Sequence, residues 1–530
     1  MTADNDYSEH DSETKETFHK SPVRFGDCVS NENDRLLTRA ALLFPRRYVP
    51  LTVWVIVVLV IIVIPLKIIS YGYLPGDDAL RHAARAVSGK PWSEILVLNP
   101  VYKIDHEFGW NWLLGRIHVL GNWNADALVI FSVVFLFVLL NIAGLAWLKR
   151  PEAWLVVLAA STILALVPVR FMLGRPYLIT VAALMAILFL WRMRRGVPPR
   201  RLEFLLMTAL ITCSVFFHGA WYLWALPIGS FFLAGEFLWG FAFGVCWFAG
   251  VIVGSALTGH LFEYPVQALQ LAHLAVGAHM TQRTMASELQ PFGGDTLTLV
   301  ALGGLVIART VVKINSVPLT RDPAFWLAAV CWVLAFKVSR FWLDWGWPAL
   351  MVLAASDVEL LLETRFAPDS FKRLGLVCGV ALAAYLCLAS DTGSRWTKDL
   401  TTQYLKADDP DLKGWMPDKG GIFYTVEMPI FYQTFFENPN GDWRYMLGFE
   451  PTWMPKSDFE VYQKILWNFN DGKAYAPWVE QMTPADRLAV RGAGAAPGIE
   501  GLEWKYAAGG IWLGRLPRTN GVTEPVKGGR

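Results

Sequence analysis

A chain of 530 residues that is 54% apolar and 14% aromatic, with a mean hydropathy of +0.36, is too oily to be a string of water-soluble domains. Its apolar residues come in long blocks, which is the pattern of a polytopic membrane protein. The formal net charge of +2 is uninformative as a total, and because the basic residues gather at loops and span ends, nucleic acid finds no support as a partner.

The chain opens on a polar, acidic stretch, Met1 to about Arg39, with Asp4, Asp6, Glu9, Asp11, Glu13 and Glu16. Residues 1–45 are expected to form a disordered cytoplasmic tail. No short apolar core with a small-residue cleavage site is present, so the first span is expected to act as an uncleaved signal anchor. That span runs from Leu51 to Ile64, reaches Ile69 past Pro65 to Lys67, and is fronted by Arg46 and Arg47, which puts its N-terminus inside.

Ten more spans follow: Ala127 to Leu148, Ala153 to Val169, Tyr177 to Trp191, Leu202 to Phe217, Ala220 to Leu238, Phe241 to Leu257, Leu297 to Val312, Ala324 to Phe336, Phe341 to Leu361 and Leu374 to Ala389. Lys149 with Arg150, Arg192 to Arg201, Lys313 with Arg321, and Arg365 with Lys372 and Arg373 fall on the inside of this arrangement, as the positive-inside rule asks. The fold class read here is thus a polytopic all-α membrane domain over 46–390, with about 11 transmembrane helices and the N-terminus inside. An odd count places loops 70–126, 258–295 and the segment 391–530 on the outer side. In that last segment, Gly421 to Met428 and Trp443 to Phe449 read as strands, Ile430 to Phe436 and Asp458 to Phe469 as helices, and Leu502 to Leu516 as two strand-like runs about Gly509-Gly510. The expectation is a C-terminal extracytoplasmic α/β domain whose aromatic content packs it against other surfaces.

All six cysteines are single residues suited to packing, and none stands in an expected outer loop or in the outer domain. Histidines are placed differently. His82, His106, His118, His218, His260, His273 and His279 all fall in outer loops or at outer span ends. Their spacings match no standard ligand motif, so a divalent metal is an option without a defined ligand set.

Four cations stand at outer span ends against the usual inside bias: Arg170, Arg175, Lys337 and Arg340. A phosphate or diphosphate head group suits such a cluster, because guanidinium groups offer forked donors to its oxygens. The structural alternative is snorkelling, or pairing with Asp344 and Glu107. In the first outer loop, Gly76-Asp77-Asp78 supplies adjacent carboxylates, and Asp77 could equally cap the helix beginning Asp78-Ala79-Leu80-Arg81-His82. The cluster Asp105-His106-Glu107-Phe108-Gly109-Trp110-Asn111-Trp112 combines polar groups with aromatic platforms for sugar faces. His82, His106, Glu107, Trp110 and His279 are candidate acceptor or sugar contacts. The stretch Glu263 to Gly294, with His273, His279, Gln282, Arg283, Glu288 and Gln290, reads as a mobile cover.

The motif Tyr73-Leu74-Pro75-Gly76-Asp77-Asp78, set just past the first span, together with basic span ends and an outer C-terminal domain, resembles the GT-C superfamily of membrane glycosyltransferases. Protein mannosyltransferases and the aminoarabinose transferases of lipid A are members. The resemblance implies a polyprenyl-phosphate sugar lipid as donor, with Arg170, Arg175, Lys337 and Arg340 on its phosphate. Asp77 would be the base or acceptor-orienting group, with Asp78 orienting it, binding a metal or contacting the acceptor, and transfer would invert the sugar. The sequence departs from the metal-dependent oligosaccharyltransferases: Arg170 to Pro176 holds no carboxylate, and Asp442-Trp443-Arg444-Tyr445 is the nearest approach to their tryptophan-rich acidic signature. The implied location is a bacterial inner membrane with the active face periplasmic or extracellular. A glycan, lipid or protein acceptor stays open. So do a polysaccharide polymerase or ligase using a lipid diphosphate glycan, and a non-enzymatic transporter or structural component; a transporter, however, would show repeats and mid-membrane charges.

Overall fold

The computed structural model describes residues 45–102, 104–163, 166–277, 289–291, 303–304, 306–311 and 317–517. The tail before residue 45, His279 and half of the Leu297 to Val312 span lie outside them. Seven helices are long and apolar enough to cross a membrane: Arg46–Ser70, Ala125–Leu145, Tyr177–Arg194, Arg201–His218, Phe237–Leu257, Trp342–Arg365 and Phe371–Ala389. Three other expected spans are shorter apolar helices, Glu152–Ile163, Trp221–Leu233 and Pro323–Ala335. Local turns mark two of them. The Ser161 and Thr162 hydroxyls each donate 2.6 Å bonds to carbonyls three residues back, tightening the helix into a 3₁₀ turn. Gly235, at φ +78, ends the Ala225–Leu233 helix before the next begins at Phe237, so the apolar run Ala220 to Leu238 is split by a turn.

The basic residues at the opposite helix ends from the C-terminal sheet are largely tied down. Arg373 holds Glu152 with two bonds of 2.6 and 2.9 Å, and Arg192 pairs with the buried Asp322. These pairs join helices distant in sequence, where a lone charge would be costly. The five described cysteines are all unbridged.

Loop 70–126 is largely helical. Asp78–Ser88 starts on Asp77 as N-cap and stops at Gly89, which takes φ +63; Trp92–Ile95 and Phe108–Gly121 follow. Ala79, Leu80, Arg81, His82, Ala83, Ala84 and Ala86 are all buried, so Asp78–Ser88 is enclosed on most sides. Part of the expected mobile cover is likewise a helix, Glu263–Gly277, whose residues Tyr264, Gln267 and Ala268 are buried.

The C-terminal part carries a five-stranded sheet: β1 (Ile422–Tyr424), β2 (Arg444–Tyr445), β3 (Arg487–Arg491), β4 (Glu503–Ala507) and β5 (Ile511–Arg515), in the order β2-β1-β3-β5-β4. β1 runs parallel to both β2 and β3, and the connection to β2 is the Met428–Glu437 helix, the crossover a parallel pair requires. β4 and β5 form an antiparallel hairpin about Gly509 and Gly510, both at positive φ. β3 is absent from the sequence reading, and β1 and β2 are shorter than their expected runs. One apolar core continues from the membrane helices through Trp92, Phe431, Phe435, Tyr445 and Phe449 to Leu513, while Tyr424, Leu447, Tyr462, Ile465 and Trp478 form a second core beyond the sheet. The first loop also joins the sheet: Leu96 bridges Tyr445, and the Val97 N–H donates to the Tyr445 carbonyl at 2.9 Å. The C-terminal unit is packed down on the Asp78–Ser88 helix.

Candidate functional site

The turn Pro75-Gly76 delivers Asp77 in extended geometry to cap the helix, its carboxylate accepting from the Asp78 N–H at 2.6 Å. Arg175 reaches the same carboxylate, with Nη2 2.5 Å from both oxygens, and places Nε 3.3 Å from Asp78 Oδ2. Gly174, at φ +66, turns the chain before it; a Cβ there would stand 3.1 Å from Ala79 Cβ, so glycine permits the close approach of the Arg175 segment to the acidic helix.

Behind the two aspartates lies a buried charge network. Arg81, one turn along, donates Nε to Asp78 Oδ1 at 2.8 Å and Nη2 to Glu107, and its guanidinium lies 3.8 Å from the Phe449 ring centre. His82 Nδ1 meets Asn111 Oδ1 at 2.7 Å and Nε2 stands 3.2 Å from Glu107; Asn111 donates to Asp105 at 2.7 Å, and Arg85 closes on Asp105 at 3.2 Å. Burial alone would raise the Asp78 and Glu107 carboxyls. Arg81 and Arg175 overcome it for Asp78, and Arg81, His82 and His106 hold Glu107 well below the usual carboxylate range. Both therefore stay ionised.

A second charge cluster sits across from the first. Asp344 lies on a π-helical turn, Trp342–Gly346, and accepts from Arg170 on one oxygen and from Arg340 Nε at 2.8 Å on the other. Arg340 Nη2 also stands 3.4 Å from His218 Nε2, whose Nδ1 is 3.3 Å from Thr180 Oγ1.

Both clusters open on one cavity of about 410 Å³. Asp77, Asp78, Arg81, Glu107, His106, Arg175, Arg340, Asp344 and His218 line it; Ala268, Leu271, Ala272, Val338 and Phe341 make an apolar flank; Tyr432, Phe449, Glu450 and Trp453 close it from the C-terminal unit. Tyr432 stays a neutral phenol, pushed well above its ordinary range by burial and by Asp78 and Asp77. A second hollow of about 780 Å³, beside Trp396, Asp399, Tyr404, Lys406 and Glu437, contains none of the expected site residues.

The expected residues thus sort by position. Asp77, Asp78, Arg175, Arg340, His106 and Glu107 share the cavity. Arg170 is buried behind it on Asp344, Lys337 is exposed and off its lining, and His82 and Trp110 are fully buried beside the network rather than in the wall. Asp344, His218, Tyr432, Glu450 and Trp453 were not read as site residues. For Asp344 and His218 the sequence did hold a signal, a charged or polar residue at a span end. For Tyr432, Glu450 and Trp453 it held none, since only the docking of the C-terminal unit brings them over the aspartates.

Among the described residues, no group of three or more His, Cys, Asp or Glu side chains is placed to hold a metal ion. Asp77 and Asp78 face guanidinium groups instead. Searched against protein-family models and against curated proteins, the chain matches none.

Proposed function

We propose that this chain is a membrane glycosyltransferase of the GT-C type, moving a sugar from a polyprenyl-phosphate donor to an acceptor at the outer, periplasmic or extracellular, face of its membrane. The observation that carries the reading is the shared cavity: two adjacent carboxylates with Arg175 paired to them, and a second arginine from another span end, Arg340, line one space of small-ligand size. Sugar transfer from a lipid phosphate needs hydrogen-bond acceptors at the incoming hydroxyl and fixed cations where negative charge grows on the leaving phosphate. Asp77 and Asp78 answer the first need, Arg340 and Arg175 the second. Arg340 is pre-positioned by Asp344, which is itself shared with Arg170, so its charge is set before the donor arrives. The apolar flank along the Glu263–Gly277 helix accepts the first isoprene units.

The test is mass spectrometry of lipids retained by the purified protein, beside Arg175→Ala and Arg340→Ala. A polyprenyl-phosphate sugar retained by the wild type and lost in the variants supports the reading. A retained lipid diphosphate glycan would replace it with a polymerase or ligase, and bulk phospholipid unchanged by either substitution would remove it.

A further inference from the structure

The proton acceptor for the incoming hydroxyl must be a group in the cavity wall that can take a proton without breaking a stronger contact. Asp77 holds Arg175 on both oxygens, Asp78 holds Arg81 on one and Arg175 on the other, and Glu107 holds Arg81. Protonating any of these breaks an arginine pair, and a carboxylate so paired is a weak base. His218 faces a guanidinium through Nε2. The Tyr432 phenol is not a base at neutral pH.

His106 differs from all of these and, with Asp344 held by Arg170 and Arg340, shares the wall with one further carboxylate, Glu450. Its ring lines the cavity, wedged between Trp453 and Phe449 with centroids 5.4 and 5.8 Å away, and its backbone is fixed by the Tyr264 hydroxyl, which donates to the His106 carbonyl at 2.9 Å. Nε2 stands 3.8 Å from Glu107 Oε2, and Nδ1 is buried with no hydrogen-bond partner among the described residues. Among the described residues, neither nitrogen is held by a cation. We infer that His106 is the general base of the transfer proposed above, taking the acceptor proton on Nε2 beside the Glu107 carboxylate, which stabilises the imidazolium that forms. The assignment rests on the transferase reading. In the step, the acceptor O–H proton passes to Nε2 as its oxygen bonds to the sugar anomeric carbon; the carbon–oxygen bond to the lipid phosphate breaks, and the electron pair leaves with polyprenyl phosphate toward Arg340. The imidazolium then returns its proton to water. Burial keeps the free imidazole below its usual range against the pull of Glu107, Asp105 and Asp78 and with the push of Arg81, so the ring is neutral at neutral pH and its nitrogen lone pair is open. Asp77 is then an acceptor-orienting group.

The experiment uses the full chain in detergent with a panel of farnesyl-phosphate sugars as donors and octyl glycosides as acceptors, measuring donor binding and turnover separately. His106→Gln should bind donor within about threefold of wild type and lose turnover by about 10²- to 10⁴-fold. His106→Ala should regain turnover on addition of imidazole, with a pH profile that follows the added base, which a residue that only shapes the wall would not show. Binding and turnover both kept by His106→Gln, or no imidazole rescue of a His106→Ala protein that still binds donor, overturns the role of His106 alone. A wild type that binds no donor on the panel overturns the transferase reading and the His106 assignment with it.

Discussion

Arg175 grips Asp77 across 98 residues of sequence, with one guanidinium nitrogen 2.5 Å from each carboxylate oxygen, and the same side chain reaches Asp78. The side chains are only 13% and 19% exposed, so this contact is screened little by solvent. It joins the first loop to the segment that precedes the Tyr177–Arg194 span.

Asp77→Asn should separate this pair from helix capping. Asparagine caps as well as aspartate, so the Asp78–Ser88 helix persists, while Arg175 loses one of its charge partners and keeps Asp78. The expected cost is about 1–3 kcal/mol of stability, with turnover largely lost. Thermal unfolding in detergent and donor turnover check it, and unchanged turnover would take Asp77 out of the site.

Asp344 and Arg340 should respond differently although they touch. Asp344→Ala removes a carboxylate shared by buried Arg170 and Arg340, for an expected loss of about 3 kcal/mol. Arg340, with a quarter of its side chain exposed, should tolerate Arg340→Ala with a smaller loss of stability yet lose retained donor lipid. Equal destabilisation by the two would make Arg340 a structural residue.

Gly219 sits against the proposed base. It takes φ +69, and a Cβ there would stand 2.6 Å from the His106 carbonyl oxygen and 2.7 Å from the Tyr264 hydroxyl. Gly219→Ala should cost about 1–3 kcal/mol and reduce turnover by displacing His106. Gly229→Ala, where nothing stands within 4 Å of the added Cβ, is the control and should leave both nearly unchanged.

Stability should fall with acid in two stages. The folded His106 is depressed below the ordinary 6.5, so its contribution is complete above that value and declines as pH falls below it. Asp78 and Glu107 are depressed below 3.8 and 4.5; their contributions are intact above those values and are lost as pH falls on toward their folded values. Melting temperature followed from pH 8 to 3 should show both stages, with His106→Gln diminishing the upper one and Glu107→Gln diminishing the lower.

Much of this arrangement is local and therefore legible. Asp77 as a helix cap, the helix over Met428–Glu437, the hairpin about Gly509-Gly510 and the apolar runs of the long spans all follow from neighbouring residues. At Ala220 to Leu238 the apolar run passes through a turn, because summed hydropathy is blind to a glycine at positive φ. β3 escaped because Arg487-Leu-Ala-Val-Arg is short, and its strand character comes from pairing with β1 and β5.

By itself the sequence determined which segments are apolar enough to leave water, where charge and histidine concentrate along the chain, and that Asp77 begins a helix, because these depend on side-chain transfer energies and on contacts within a turn. Only the tertiary structure decided which charges meet. Arg170 and Arg340 are 170 residues apart yet share Asp344, Arg175 takes Asp77, and Trp453 and Phe449 enclose His106 once the C-terminal unit docks. The reason is that a buried ion must find a partner wherever packing brings one within reach, and packing is a property of the whole chain.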